Sequence, residues 1–292
     1  MKKIGVMGTG TMGSGIIQVC AQSGYDVVIR SSKQEYIDAA VAKIEKNLAK
    51  LVSKEKITED DKVATLGRIS GGDTFDVLKD CDLIVESSTE DMEKKKELFK
   101  QLDEICKADA ILATNTSALS ITELASVTTK PDRVIGMHFF NPVPAMKLVE
   151  VVKGIATSDE VKDAVVAATE ALGKTPVEVA EAPGFVVNRI LVPMINEAIG
   201  IYADGVASVE GIDTAMKLGA NHPMGPLELG DFVGLDICLA IMDVLYAETG
   251  DSKYRACPLL RKMVRGGNLG VKSGMGFYKY NEDRTKTPVD AL

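Results

Sequence analysis

Gly8-Thr9-Gly10-Thr11-Met12-Gly13 fits the pattern G-x-G-x-x-G, between a short apolar run of strand type and a stretch of helical period. That context is what the pattern needs to hold a dinucleotide. The first glycine permits a tight turn, the second lets backbone approach a pyrophosphate, and the third lets helix and strand pack closely. The helix start then offers unpaired N–H groups to phosphate oxygens, which makes Gly8, Gly10, Thr11, Met12 and Gly13 candidate cofactor-binding residues. The bland alternative is a glycine-rich turn with no ligand.

A dinucleotide-binding unit of this type carries a carboxylate about 20 residues further on, bonding the adenine ribose 2′-hydroxyl. Here the second predicted strand ends at Arg30 and is followed by Ser31, Ser32 and Lys33. The nearest carboxylates are Asp26, at the strand's start, and Glu35, in the next helix. Arginine, two hydroxyls and lysine suit an anion such as a 2′-phosphate, so this tip predicts NADP(H) as cofactor. The alternative is NAD(H) bound over a solvated turn without a ribose anchor.

Two histidines occur, His138 and His222, which narrows the search for an acid/base near neutral pH. His138 ends a predicted strand, and Glu150 follows twelve residues later. Pro142 and Pro144 force a turn between them, so two strands can fold back and bring the carboxylate beside the imidazole. A carboxylate there fixes the tautomer and stabilises the imidazolium. A satisfied structural histidine remains open at this level. His222, inside Asn221-His222-Pro223-Met224-Gly225-Pro226, reads as a structural residue of a turn-rich loop.

The elements that must position these groups follow from periodicity. Strand-type runs fall at residues 3–7, 26–30, 83–86, 111–114, 134–138, 148–152 and 177–179, with helical stretches at 12–22, 35–54, 91–107 and 159–172. Strands separated by helices of this length imply crossover connections and a largely parallel sheet covered on both faces. After Pro183-Gly184 the pattern changes. Residues 185–202 are apolar on nearly every side, with Pro193 inside, and no convincing strand follows for most of the remaining chain. A helix apolar all round must be buried in a core or against another subunit. The fold class is therefore α/β: a Rossmann-type doubly wound dinucleotide-binding domain over 1–183, then an all-α domain over 184–292, whose tail from about Asn281 reads as frayed. The apolar stretches 185–202 and 235–245 carry more hydrophobic surface than ~110 residues bury alone, which predicts a homodimer through the helical domain.

Composition excludes several classes. Hydrophobic residues at 46% and charged residues at 26% are those of a globular chain, and they argue against disorder. A net charge of −8 argues against a general binder of nucleic acid or anionic membrane. No apolar run approaches the ~18–20 residues that span a bilayer, and Met1-Lys2-Lys3 runs into glycines too early for a signal-peptide core. Five cysteines without a C-x-x-C spacing speak against a disulfide framework and a zinc site. A reduced, cytoplasmic protein without a metal is the expectation.

Further motifs carry a resemblance. Together with the glycine loop, Asn115-Thr116-Ser117, His138-Phe139-Phe140-Asn141-Pro142, Met146-Lys147-Leu148-Val149-Glu150, Pro183-Gly184-Phe185-Val186-Val187-Asn188-Arg189 and His222-Pro223-Met224-Gly225-Pro226 make the whole chain similar to the L-3-hydroxyacyl-CoA dehydrogenases. Within that family it most resembles the bacterial 3-hydroxybutyryl-CoA dehydrogenases of butyrate and butanol fermentation. The resemblance implies an oxidoreductase interconverting acetoacetyl-CoA and (3S)-3-hydroxybutyryl-CoA. The alternative is an NAD-dependent member of broader chain length. Two other classes stay in view: a β-hydroxyacid dehydrogenase using a free acid, and a non-catalytic NAD(P)-binding sensor.

By the same resemblance His138 is the acid/base at the C3 oxygen and Glu150 its orienting partner, while Ser117 and Asn188 bond the substrate oxygens. Glu90, Lys95 and Asn115 match positions near the nicotinamide end of the cofactor. The competing reading of Glu90 and Lys95 is a solvated, charged helix start. Lys50 and Lys54 match lysines near the CoA phosphates and, spaced i and i+4, share a helical face; as plain surface lysines they would be unremarkable. The sequence also departs from the family. Ala118 replaces a second serine, and Asn268, Val271 and Met275 stand where relatives often have Trp, Arg and Lys. Ser31 stands where NAD-specific relatives generally have Asp.

Overall fold

Short runs of β-branched and aliphatic residues become strands in the first part of the chain, with amphipathic helices between them. In the computed structural model, which describes residues 1–283 and 285–289, the chain divides into two units, Met1–Ala182 and Pro183–Leu292. The first unit runs β1 (Lys3–Met7), α1 (Thr11–Gln22), β2 (Asp26–Arg30), α2 (Gln34–Val52), α3 (Glu59–Gly67), β3 (Ile69–Gly72), β4 (Leu83–Glu86), α4 (Met92–Ile105), β5 (Ile111–Thr114), α5 (Ile121–Ala125), β6 (Val134–Phe139), β7 (Leu148–Lys153), α6 (Asp159–Ala171) and β8 (Thr175–Ala180).

These strands form one sheet in the order β3-β2-β1-β4-β5-β6-β7-β8. Every neighbouring pair is parallel except β6 and β7, which run antiparallel. The first six positions have the doubly wound order, in which the chain reverses direction beside β1 and opens a crevice at the strands' carboxyl ends. Helices cover both faces, so β4 and β5 are buried at every residue. Ile4, Val6, Ile29, Val85, Ile135 and Val151 lie in the core between sheet and helices.

The structure adds β3, α3 and α5 to the elements expected from periodicity. Ile69-Ser70-Gly71-Gly72 has the composition of a turn and forms a strand only because it can pair along β2 at the sheet's edge. The short helix α3 rests on a reciprocal cap, in which Thr58 and Asp61 each bond the other's backbone N–H. The helix expected over 35–54 ends at Val52, so Lys54 lies in the turn beyond it and does not share a helical face with Lys50.

The second unit contains α7 (Val187–Ala203), α8 (Val209–Gly219), α9 (Pro226–Val233), α10 (Leu235–Thr249), α11 (Pro258–Arg265), β9 (Tyr278–Tyr280) and β10 (Lys286–Pro288). Its core gathers Val192, Ile195 and Ile199 of α7 with Leu227, Met242 and Leu260. The opposite face of α7 is open: Ile190 is 68% exposed. The helix is thus buried on one side within its unit rather than all round. The unit is also not purely helical, because β9 and β10 pair as a small antiparallel sheet. Strand β10 lies in the tail expected to fray from about Asn281, of which residues 284 and 290–292 fall outside the described residues. Strands this short leave no period-2 signal. A buried carboxylate sets the first of them in place: Asp231 accepts the N–H groups of Phe277 and Tyr278 at 3.0 and 2.9 Å and the Tyr280 hydroxyl at 3.0 Å. Burial nevertheless pushes the Asp231 carboxyl up to about 6.

Candidate active site at the carboxyl edge of the sheet

The glycine loop joins β1 to α1 at the reversal point of the sheet. Gly8 has φ +101°, and a Cβ there would lie 2.5 Å from the Ser87 carbonyl oxygen. A Cβ on Gly13 would lie 2.2 Å from the Gly8 carbonyl oxygen, so the first and third glycines are needed by the protein itself. A Cβ on Gly10 would meet nothing within 4 Å. This is open space over the start of α1, whose N-cap Gly10 has no side-chain cap. Open space above unpaired helix N–H groups fits a pyrophosphate, and the residues present fit a nicotinamide dinucleotide.

His138 and Glu150 are register partners on the antiparallel pair β6–β7. Side chains directly opposite in such a ladder point to the same face, and the Nδ1 of buried His138 lies 2.7 Å from Oε2 of buried Glu150. The imidazole also packs on the Phe140 ring, with centroids 4.5 Å apart. Geometry of this kind holds Nδ1 protonated and aims the other ring nitrogen away from the carboxylate.

A belt of polar side chains joins the neighbouring strand ends. Asn115 donates from Nδ2 to Ser87 Oγ at 3.0 Å and accepts the Phe139 N–H at 2.8 Å, tying the ends of β4, β5 and β6 together. Glu90 is exposed and lies just before α4, yet its carboxylate is engaged. Its Oε1 accepts the Thr116 hydroxyl at 2.7 Å and both the N–H and the hydroxyl of Ser117, at 2.7 and 2.9 Å. Lys95 is fully buried and pairs with Glu86, with Thr114 Oγ1 at 3.2 Å and Glu90 Oε2 at 3.8 Å. It is neither a solvated lysine nor an open cation, and it meets the edge of the site through Glu90. Burial pushes the Glu86 carboxyl up, but the Lys95 ammonium and the bonds from Lys95 and Ser88 outweigh it and hold Glu86 below the usual carboxylate range.

The tip of β2 is less uniform than its sequence. Ser31 is buried, with its hydroxyl 3.3 Å from that of Thr9 in the glycine loop. The Arg30 guanidinium lies 3.8 Å over the Phe75 ring. Burial lowers the Arg30 pKa, and the charge of Asp73 works in the other direction. Ser32 is exposed, and Lys33 already faces Glu35 at 3.1 Å. The four residues expected to act as one anion site therefore divide. Ser31 touches the glycine loop, Arg30 is stacked, Ser32 faces solvent, and Lys33 has a carboxylate beside it.

Lys50 and Lys54 are both exposed, one in the last turn of α2 and one beyond it. Asn188 belongs to the second unit, in the first turn of α7. His222 lies between α8 and α9, its backbone N–H on the Met216 carbonyl at 3.3 Å. No local pattern marks Glu86, Phe75 or Lys174, and Thr116 enters the sequence reading only inside Asn115-Thr116-Ser117; each acts through a partner that the fold brings to it. Among the described residues, no group of three or more His, Cys, Asp or Glu side chains could hold a metal ion, and no helix is long and apolar enough to cross a membrane. The five cysteines are free thiols, and burial pushes those of Cys20, Cys81 and Cys238 up to about 12.

Known proteins share this sequence and this arrangement. Residues 3–182 match the NAD binding domain of 3-hydroxyacyl-CoA dehydrogenase, and residues 184–280 match the C-terminal domain of the same family. A 3-hydroxybutyryl-CoA dehydrogenase of Clostridioides difficile is 61% identical over 280 residues, covering 96% of this chain and 100% of that protein. The crystal structure of (S)-3-hydroxybutyryl-CoA dehydrogenase PaaH1 from Ralstonia eutropha superposes with a TM-score of 0.94 at 50% identity, covering 97% of this chain and all of that one. FadB2 of M. tuberculosis gives a TM-score of 0.94 at 40% identity, over 96% and 99% of the two chains. Both family domains match in order along one chain, so the protein belongs to the 3-hydroxyacyl-CoA dehydrogenase family.

Proposed function

We propose that this protein interconverts acetoacetyl-CoA and (3S)-3-hydroxybutyryl-CoA, with NADP(H) preferred over NAD(H). The observation that carries the reaction is the buried His138–Glu150 pair at 2.7 Å, on the sheet edge that also bears the glycine cradle. Gly8, Gly10, Thr11, Met12 and Gly13 hold the pyrophosphate, and the nicotinamide, when bound, supplies or accepts the hydride at C3. In reduction, the electron pair of the C3 carbonyl moves onto oxygen, which takes a proton from the His138 imidazolium. Glu150 holds the Nδ1 proton and the ring's orientation, leaving the exchange to the other nitrogen. Asn188 and the Ser117 hydroxyl, which turns from Glu90 to the substrate, donate to substrate oxygens as charge develops. Glu90 keeps the Ser117 N–H, and Lys95 and Asn115 stiffen the strand ends beside Ser117. Lys50 and Lys54 meet the CoA phosphates.

The preference for NADP(H) rests on neutral Ser31 where a carboxylate would repel a 2′-phosphate, with Arg30, Ser32 and Lys33 around it. One observation favours the alternative, an NAD-dependent enzyme of broader chain length: Lys33 already has Glu35 beside it. Initial rates with acetoacetyl-CoA, comparing NADPH with NADH, separate the two. A higher kcat/KM with NADPH supports the proposal, and an equal or higher value with NADH overturns the cofactor part. Turnover of free acetoacetate at a rate matching the thioester would overturn the substrate. The same reading makes the protein a cytoplasmic enzyme of butyrate-forming metabolism and a homodimer through its helical unit. A monomer by sedimentation at micromolar concentration, with full activity, would refute the dimer.

A further inference from the structure

We infer that Lys174 is the positioning residue of the hairpin that carries His138 and Glu150; the inference rests on the reading of that pair as the acid/base. His138 and Glu150 stand one rung from the open end of their ladder, because Phe139 and Val149 are the last paired residues before the loop 140–147. Nearly all of that loop is exposed. Asn141, Pro142, Pro144, Ala145, Met146 and Lys147 face solvent, and only Val143 is buried. A loop so placed frays the rung beside it unless something holds its backbone.

Lys174 does that. It is 7% exposed, and its ammonium bonds the carbonyl oxygens of both Val143 and Met146. The next residue continues the clamp, since the Thr175 N–H donates to the Lys147 carbonyl at 2.7 Å. Three carbonyls of one exposed loop are thus held by two consecutive residues of another segment. The clamp is itself fixed. Gly173 ends α6 with φ +68°, and the Lys174 N–H bonds back to the Thr169 carbonyl at 3.2 Å. The ammonium is held on neutral carbonyls, and both burial and the nearby Lys147 lower its pKa. Its bonds to the two carbonyls are what offset the burial of the amine at this place.

The held residue also reaches the cofactor side. Val143 packs against Gly15 of α1, where an added Cβ would come within 2.8 Å of the Val143 Cβ. Lys174 therefore seats the loop on the helix whose start forms the glycine cradle. That contact anchors the loop next to the His138 rung on the same helix whose start forms the glycine cradle. Positioning of this kind matters to the chemical step, since a displacement of about 1 Å costs up to roughly a hundredfold in rate.

Lys174→Met removes the charge at nearly constant volume. The expected result is a fall in kcat of about tenfold to a hundredfold, with dinucleotide affinity and the KM for acetoacetyl-CoA within about threefold of wild type. The inflection of the kcat–pH profile should move, because His138 no longer keeps its distance to Glu150. Lys174→Arg, which restores charged donors, should recover most of the rate and the original profile; it also serves if the Met variant does not fold. In a His138→Ala background Lys174→Met should cost little more, since both act through one imidazole. Wild-type kcat and an unmoved pH profile in Lys174→Met would overturn the inference. So would a loss of thermal stability with the profile unmoved, which is a merely structural role. If His138→Ala alone keeps full activity, the reading of the pair fails instead.

Discussion

The hairpin of β6 and β7 and the tip of β2 sit on the same edge of one sheet, yet they are built in opposite ways. His138 and Glu150 are buried, paired by ladder register, and backed by Lys174 and the packing of Val143 on Gly15. At the tip, Ser32 and Lys33 are exposed, and Lys33 has a carboxylate within 3.1 Å that travels on the same helix start. A proton-transfer group has to be held to a fraction of an ångström. A group that selects between two cofactors needs only to set the sign of the local charge. On the proposed function, rigid burial serves the first task, and a short turn that is exposed at Ser32 and Lys33 serves the second.

The sharpest way to break that contrast is His138→Ala. General acid/base help is typically worth ~10²–10⁴-fold, so kcat should fall by that order while dinucleotide binding, measured by fluorescence titration, stays close to wild type. A variant keeping a tenth of the rate would remove the hairpin's claim to be the rigid catalytic element. Glu150→Gln should lower kcat less and shift the pH profile, because the imidazolium loses its counter-charge but keeps a hydrogen-bond acceptor.

What could be read from the sequence divides along the same line. The alternation of strands and helices, the glycine turn and the proline-forced return between His138 and Glu150 all leave local signals, since periodicity and turn residues act over a few positions. The hairpin geometry needed only two facts: strands on either side of a turn, and a separation that lets opposite residues meet. Lys174 left no such signal, because its partners are backbone carbonyls that any residue supplies. The burial of Lys95 also could not be read. A charged helix start looks solvated until sheet pairing brings Glu86 and Thr114 beneath it. Strand β3 was passed over for a related reason: its glycines speak for a turn, and only the edge of β2 makes them a strand. Lys50 and Lys54 looked like one helical face because periodicity does not mark where α2 stops.

A substitution at Ser31 acts on the tip. One charge-assisted contact to a phosphate contributes roughly 1.5–3 kcal/mol, which is about tenfold to a hundredfold in relative efficiency. Ser31→Asp should therefore lower kcat/KM for NADPH by that range and change the value for NADH much less. Because Ser31 is buried against Thr9, the new carboxylate would sit beside the glycine loop and not swing out to solvent. Equal losses with both cofactors would mean that the tip is as rigidly engaged as the hairpin, and the contrast would fall.

The smallest effect belongs to the most exposed groups. Lys50 and Lys54 carry solvated ammonium ions on a helix end and the turn after it. Contacts that solvated lysines make with phosphates far from C3 are alike in the ground and transition states, so they contribute to binding and not to the chemical step. Exposed ion pairs are typically worth about 0.2–1 kcal/mol each, which for two such contacts predicts a rise in KM of about two- to thirtyfold. Steady-state kinetics of the doubly Ala-substituted variant should show that rise in KM for acetoacetyl-CoA with kcat nearly constant, and the difference should shrink in high salt as screening removes the wild-type advantage. An unchanged KM would return both lysines to ordinary surface residues. A large fall in kcat would mean instead that the end of α2 is coupled to the hairpin.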